Sequence, residues 1–213
     1  MLGPPGAGKG TQAKRIQDRW NITQLSTGEI LRQAVDAGNE VGAKAGPILE
    51  AGDLVTDEIM IYVVTERLKK SDCQKGFVLD GFPRTTKQAG ALDELLIAQH
   101  LKLDAVIQIV ADDNVIKERV TGRYECGNCG MGYHDRYSLP KVEGICDGCG
   151  FQRFVRRADE KEETVLLRIK NYHRATEPIL PYYRDHGILF EVDGMKAIDD
   201  VTADIDVILE QLQ

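Results

Sequence analysis

Along the chain, short apolar runs alternate with longer stretches in which apolar residues return on a helical repeat. The residues after Lys9, GTQAKRIQDRW, read as a helix, and ITQLS is a short strand-like run leading to a second helix start. Ser26 to Glu29 has the spacing of a capping box, so TGEILRQAVDAG is expected to be helical and to end at Gly38. EVGAKAGPILEAG predicts another short helix, interrupted at Gly46 and Pro47. These two helices form a small helical excursion. From Asp57 to Ser71 the apolar positions again follow a helical repeat, and GFVLDGF is a compact strand closing on Asp80. A helix from about Thr85 to Ala98, a strand DAVIQIV and a helix DNVIKERVTG come next.

After Gly122 the rhythm breaks into a Gly-, Cys- and Tyr-rich segment without helical periodicity. Order resumes in DEKEETVLLRIKNYHRATEPILPYYRDHG, a long helix expected to bend or stop at Pro178 and Pro181, followed by a strand ILFEVDG and a last helix AIDDVTADIDVILEQL. Strands alternating with helices predict an α/β fold, a parallel sheet covered on both faces with ligands at the carboxyl ends of its strands.

Composition narrows this picture. The 213 residues suit one core with excursions rather than two independent domains, and 42% hydrophobic with 29% charged residues is ordinary for a globular chain. No apolar run is long enough to cross a bilayer and no leader-like segment opens the sequence, so a cytosolic protein without membrane partners is expected. A formal charge of -7 argues against a general nucleic-acid binder. Cys73 stands alone and is read as a structural thiol.

Two motifs carry chemistry. Gly3 to Thr11, GPPGAGKGT, fits the phosphate-loop pattern in which glycines bring backbone N–H groups to phosphate oxygens at a helix N-terminus. The alternative is a Gly-rich turn with a surface lysine. Gly10 stands where a Ser or Thr usually follows the lysine, so water-mediated Mg2+ binding is expected in place of direct hydroxyl ligation. Asp80, ending its strand, either orients the waters of that Mg2+ or caps the next turn. Cys126, Cys129, Cys146 and Cys149 form two Cys-x-x-Cys pairs, the spacing of a structural Zn2+ site; two disulfides or four free thiols are the alternatives. His134 and Asp147 are conceivable further ligands, but four thiolates already fill a tetrahedral site.

GPPGAGKGTQA, STGEILR, GDLVTDE, GFVLDGFPRT, GRYECGNCG and RRADEKEETV, in this order, resemble adenylate kinases of the long-lid, zinc-containing bacterial type. The resemblance implies a P-loop three-layer, doubly wound parallel sheet. Its divisions are a core over 1–25, an AMP-binding insertion over 26–55, core again over 56–121, a zinc-ribbon-like lid over 122–160 and core over 161–213. It also implies reversible, Mg2+-dependent phosphoryl transfer between ATP and AMP, giving two ADP, in a monomer that binds neither nucleic acid nor membrane.

The same resemblance implies site residues. Gly6, Ala7, Gly8, Lys9, Gly10 and Thr11 would wrap the ATP phosphates. Arg119, Gly132, Tyr133 and Lys196 would stand near ATP, although simple packing inside the lid is a serious alternative for Tyr133. Thr27, Arg32, Asp53, Leu54, Val55, Gly81, Phe82, Pro83, Arg84 and Gln88 would receive AMP, with Gln88 reading the base. Lys9, Arg84, Arg123, Arg157, Arg168 and Asp80 would serve the transfer, Arg157 and Arg168 reaching across both nucleotides. Arg156 makes the Arg157 assignment ambiguous by one position, and Glu160 stands where the family often has Asp. Only Met1 and Leu2 precede Gly3 where the family has several more apolar residues, so a shortened first strand is expected. The competing classes are a zinc-ribbon nucleic-acid-dependent ATPase and a phosphate-loop switch; within the kinases, UMP/CMP or guanylate specificity is nearer.

Overall fold

A computed structural model describes residues 1–212. Two parallel strand pairs form the core: β1 (Thr23–Ser26) beside β2 (Phe77–Asp80), and β3 (Val106–Val110) beside β7 (Leu189–Asp193). Met1 and Leu2 lie between the pairs. The Met1 amino group donates to Leu79 O at 2.8 Å, and Leu2 exchanges backbone hydrogen bonds with Ile107 and Ile109 at 2.8 and 2.9 Å. The short segment therefore takes the central place expected of a first strand.

Both faces of this sheet are covered. Val106 packs with Leu2, Ala89, Ile179, Leu180 and Tyr183 on one side, while its neighbour Ile107 packs with Ile16, Val192, Val201 and Ile205 on the other. The period-2 alternation of a strand sends adjacent apolar residues to opposite layers, which bears out the three-layer expectation. Helices α1 (Lys9–Trp20) and α9 (Ile198–Glu210) supply one layer; α5 (Thr86–Ala98) and α8 (Leu180–Asp185) belong to the other.

The excursion consists of α2 (Thr27–Asp36) and α3 (Glu40–Ala51), followed by α4 (Asp57–Leu68). Helix α3 runs unbroken through Pro47, against the expected interruption. One lost N–H does not break it because Asn39 caps its start, Gly52 its end, and Gly42 presses it onto α2. A Cβ on Gly42 would lie 2.0 Å from Ala34 O. The capping box at α2 is half formed: Ser26 Oγ accepts from Glu29 N at 3.4 Å, but the Glu29 carboxylate turns to Arg32 and Gln33.

Beyond α6 (Asp113–Thr121) the lid is a three-stranded antiparallel sheet of β4 (Arg123–Cys126), β5 (Gly132–His134) and β6 (Phe154–Val155), with β4 central. His134 fastens it to α6. Its Nε2–H donates to Glu118 O at 3.1 Å, a partner that can only accept, while Nδ1 accepts from Arg136 N and Tyr137 N. After the lid, α7 (Glu162–Asn171) widens into a π-helical turn over Tyr172–Thr176. The departure from α geometry thus begins before Pro178, whose ring cannot accommodate the carbonyl one turn back.

Candidate active site

A cleft opens where the phosphate loop, the excursion, the Gly81–Arg84 turn and α7 meet. Lys9, Arg32, Asp53, Leu54, Gly81, Pro83, Arg84 and Arg168 line it together, as the sequence led one to expect. Asp159, Asn171, Tyr172 and Thr176 line it as well and were not foreseen. Tyr172 and Thr176 reach it from the π-helical turn, and Thr176 Oγ1 donates to Arg84 O at 3.0 Å. Asn171 Nδ2 donates to Gly52 O and Asp53 Oδ1 at 3.3 and 3.2 Å, so Asp53 ties the excursion to α7.

At the loop, Lys9 Nζ donates to Gly3 O at 2.8 Å and Pro4 O at 2.6 Å. Gly6 and Gly8 hold the positive φ angles of 77° and 97° that shape the turn. Burial, opposed by Asp80 and reinforced by Arg84, Arg168 and Arg123, lowers the Lys9 pKa to about 7. Arg84, Arg168 and Arg123 thus converge on Lys9, with the Asp80 carboxylate opposing them. A Cβ at Gly10 would sit 3.3 Å from Asp80 Oδ2, which places the Asp80 carboxylate at the N-terminal end of α1.

The arginines are held by one edge each. Arg84 Nε donates to Gly81 O at 2.8 Å; Arg168 Nη1 donates to Asp159 Oδ2 at 2.8 Å; Arg32 meets Glu29 at 3.1 Å. Arg123 pairs with the nearly buried Glu160, its Nε donating to Oε1 at 2.7 Å. Burial lowers the Arg168 pKa to about 10 against the pull of Asp159, and burial likewise lowers that of Arg84. Arg156 lies half exposed against Asp135 and over the Tyr124 ring, whereas Arg157 is more enclosed and pairs with Glu125. On the far side of the phosphate loop, Arg119 Nη1 donates to Gly194 O at 2.7 Å, joining α6 to the loop that carries Lys196, whose Nζ donates to Asp204 Oδ2.

Five expected contact residues are held within the packing around the cleft or in the lid. Val55 and Phe82 are buried in the main apolar cluster, where Val55 packs with Leu31 and Met60, because both are apolar residues at the base of a packed excursion. Gln88 is buried with one acceptor and one donor of its amide engaged: Oε1 accepts from Arg84 N and Nε2 donates to Asp57 Oδ1, both at 2.8 Å. Tyr133 points into the lid, stacked on Tyr124, its hydroxyl donating to Cys146 Sγ at 3.4 Å and accepting from Asp147 N at 2.7 Å. Packing of that side chain inside the lid is the alternative that holds. Thr27 is buried with Oγ1 donating to Asp80 O at 3.2 Å, under the floor of the cleft. The Phe82–Pro83 peptide is cis.

The four lid cysteines bring their Sγ atoms within 4.8 Å of one another, with Cys126 to Cys149 and Cys129 to Cys146 each at 3.6 Å. No disulfide joins them; a disulfide would need about 2.0 Å. A tetrahedron of about 2.3 Å metal–sulfur bonds has edges of roughly 3.8 Å, so the quartet fits a tetrahedral metal ion. Asp147 accepts instead from Lys141 N, and neither it nor His134 joins the group.

A doubly wound sheet with a phosphate loop at the foot of its first helix, a cation-lined cleft and two insertions beside it defines a P-loop protein built to hold phosphate-bearing ligands. The sequence model of the family described as Adenylate kinase matches residues 1–188. The chain is 53% identical over 212 residues to an adenylate kinase of Rhizobium rhizogenes, covering 100% of this chain and 98% of that one. It is 52% identical over 210 residues to one of Paramagnetospirillum magneticum (99% and 97%) and 50% identical over 213 residues to one of Archaeoglobus fulgidus (100% and 98%). The chain belongs to the adenylate kinase family.

Proposed function

We propose that the protein transfers the terminal phosphoryl group of ATP to AMP, reversibly, giving two ADP. The observation that carries this is the convergence of Lys9, Arg84 and Arg168 from three separate segments onto one cleft between the phosphate loop and the excursion, with Arg123 near enough to act on the Lys9 charge. Phosphoryl transfer spreads charge over oxygens already anionic in both substrates, so catalysis rests on positioning and neutralisation.

In this reading Gly6 to Thr11 wrap the ATP phosphates and Lys9 exchanges the Gly3 and Pro4 carbonyls for phosphate oxygen. Arg119 and the Gly194–Lys196 loop receive the ATP base, and the exposed backbone at Gly132 lies on the lid's edge. Arg32 and Arg84 hold the AMP phosphate from one side of the cleft, Leu54, Gly81 and Pro83 form its wall, and Arg123, Arg157 and Arg168 face the transferred group. The more enclosed position of Arg157 favours it over Arg156. Gln88 orders the Arg84 turn by accepting from the Arg84 N–H, and its second N–H and second lone pair read the base. Mg2+ arriving with ATP would be held through water by Asp80 beside Thr11, neutralising phosphate charge. Zn2+ on the cysteine quartet would leave no open position and so would act on lid folding alone.

The excursion over 26–55 and the lid over 122–160 would close on the nucleotides and exclude water. No described helix is long and apolar enough to cross a membrane; the proposed state is a cytosolic monomer. A coupled assay across a panel of nucleoside monophosphates, run beside zinc analysis, tests the reading. ADP formation from ATP should depend on AMP; well-folded protein without AMP-dependent turnover would sink it. Gln88→Leu should weaken AMP use more than ATP use.

A further inference from the structure

The neck of the lid contains a charge pattern that the site assignments leave half used. Arg123 and Glu125 are two residues apart on β4 and so stand on the same face of the strand. Opposite them, on the returning chain, are Arg157 and Glu160. The ion pairs cross: Arg123 to Glu160, and Glu125 to Arg157. Arg157 donates from Nε at 2.9 Å and from Nη2 at 2.5 Å, both to Glu125 Oε2. Arg123 uses its own Nε and Nη2 on Glu160 Oε1. Neither Nη1 has a hydrogen-bond partner among the described residues, and a guanidinium carries five N–H donors in a fixed fork.

We propose that Glu125 is a positioning residue for phosphoryl transfer, holding Arg157 by its Nε and Nη2 edge so that the remaining donors are presented to phosphate. Glu160 does the same for Arg123, and together the four side chains lock the two strands of the neck in one alignment. The pair is only partly exposed, at 23% for Arg157 and 18% for Glu125, so it is shielded from much of the screening that weakens surface pairs. Burial alone would lower the Arg157 pKa; the hydrogen bond and charge of Glu125 turn the balance upward. A guanidinium fixed along one edge loses less orientational freedom on meeting phosphate than one free to turn.

The inference rests on the assignment of Arg157 to the nucleotide phosphates, and a double-mutant cycle separates the two. Steady-state kinetics of Glu125→Ala, Glu125→Gln, Arg157→Ala and the Glu125→Ala/Arg157→Ala double variant are compared, with zinc content and melting curves as folding controls. Glu125→Ala should lower kcat by roughly 10- to 100-fold, the scale on which an ångström of misplacement slows a reaction. KM for both nucleotides should be nearly unchanged, as for an interaction made in the transition state. Glu125→Gln, whose amide oxygen still accepts from Nε, should recover part of the loss, and the double variant should be no slower than Arg157→Ala.

Unchanged kcat in Glu125→Ala, a lower KM without loss of kcat, or additive losses would overturn the proposal. The second of these would mean that Glu125 sequesters Arg157 until nucleotide arrives. If the alanine variant does not fold, the near-isosteric Gln variant and its own double with Arg157→Ala decide the same cycle. Wild-type turnover in Arg157→Ala would instead refute the site assignment itself.

Discussion

The excursion and the lid are both inserted between core elements, yet they are held by different forces. Leu31, Ala45 and Val55 of the excursion belong to the same buried cluster as Met60, Val64, Leu79 and Leu92, so folding it extends the main apolar core. The lid's own cluster has only Cys126, Tyr133 and Cys146, with Tyr124 and Phe154 against it. Met131, Leu139, Val142 and Phe151 remain exposed. An insertion that shares a core needs no further fastening; one that stands away from it has too little apolar surface of its own, and a metal on its four cysteines would supply the missing constraint.

The largest test of this contrast is the double replacement Cys126→Ser and Cys129→Ser. Structural zinc sites in small domains contribute about 10–16 kcal/mol, so zinc content and lid order should be lost together. Trp20, the single tryptophan, lies in the core with its Nε1 donating to Asp206, and its fluorescence transition should persist. Loss of both signals at one temperature would erase the distinction between the two insertions. Next, Leu31→Ala should cost about 2–5 kcal/mol and shift the Trp20 transition while zinc stays bound. Tyr133→Phe removes the hydroxyl between Cys146 and Asp147, an effect of about 1 kcal/mol that should appear as faster zinc release to a chelator, with the core transition unmoved.

The smallest effect lies in the cleft between the insertions. With the Lys9 pKa lowered to about 7, the free amine is largely neutral above that pH, and phosphate binding must restore its charge. ATP binding should therefore take up less than one proton above pH 7, measured by calorimetry in buffers of different ionisation enthalpy, and affinity should fall as pH rises. Stability responds in the opposite sense: the unfolded chain binds the extra proton between pH 7 and the ordinary lysine range, so the nucleotide-free fold gains stability as pH rises through that window. Proton release on ATP binding would contradict the buried, underbalanced lysine.

Much of this architecture was legible because its signals are local. The phosphate loop, the paired cysteines and the apolar run of β3 each announce themselves within a few residues. What the sequence hid depends on partners far along the chain. Pro47 reads as a break until α2 is seen holding α3; that one donor and one acceptor of the Gln88 amide serve Asp57 and Arg84 is visible only in the fold. Asn171 carries no motif at all, since its role exists only through contact with Gly52 and Asp53. Tyr133 and Glu125 lie in a segment whose periodicity gives no facing direction until the three strands of the lid are paired.

Gly52 gives the molecule something like a fulcrum. Its φ of 79° favours glycine, and a Cβ there would strike Thr164 Cγ2 at 2.5 Å and approach Arg168 Cγ at 3.3 Å. The pair of excursion helices is thus a lever whose bearing rests on the two residues of α7 that stand one turn apart, one of them Arg168. A shift of that lever would bear directly on the stem of Arg168.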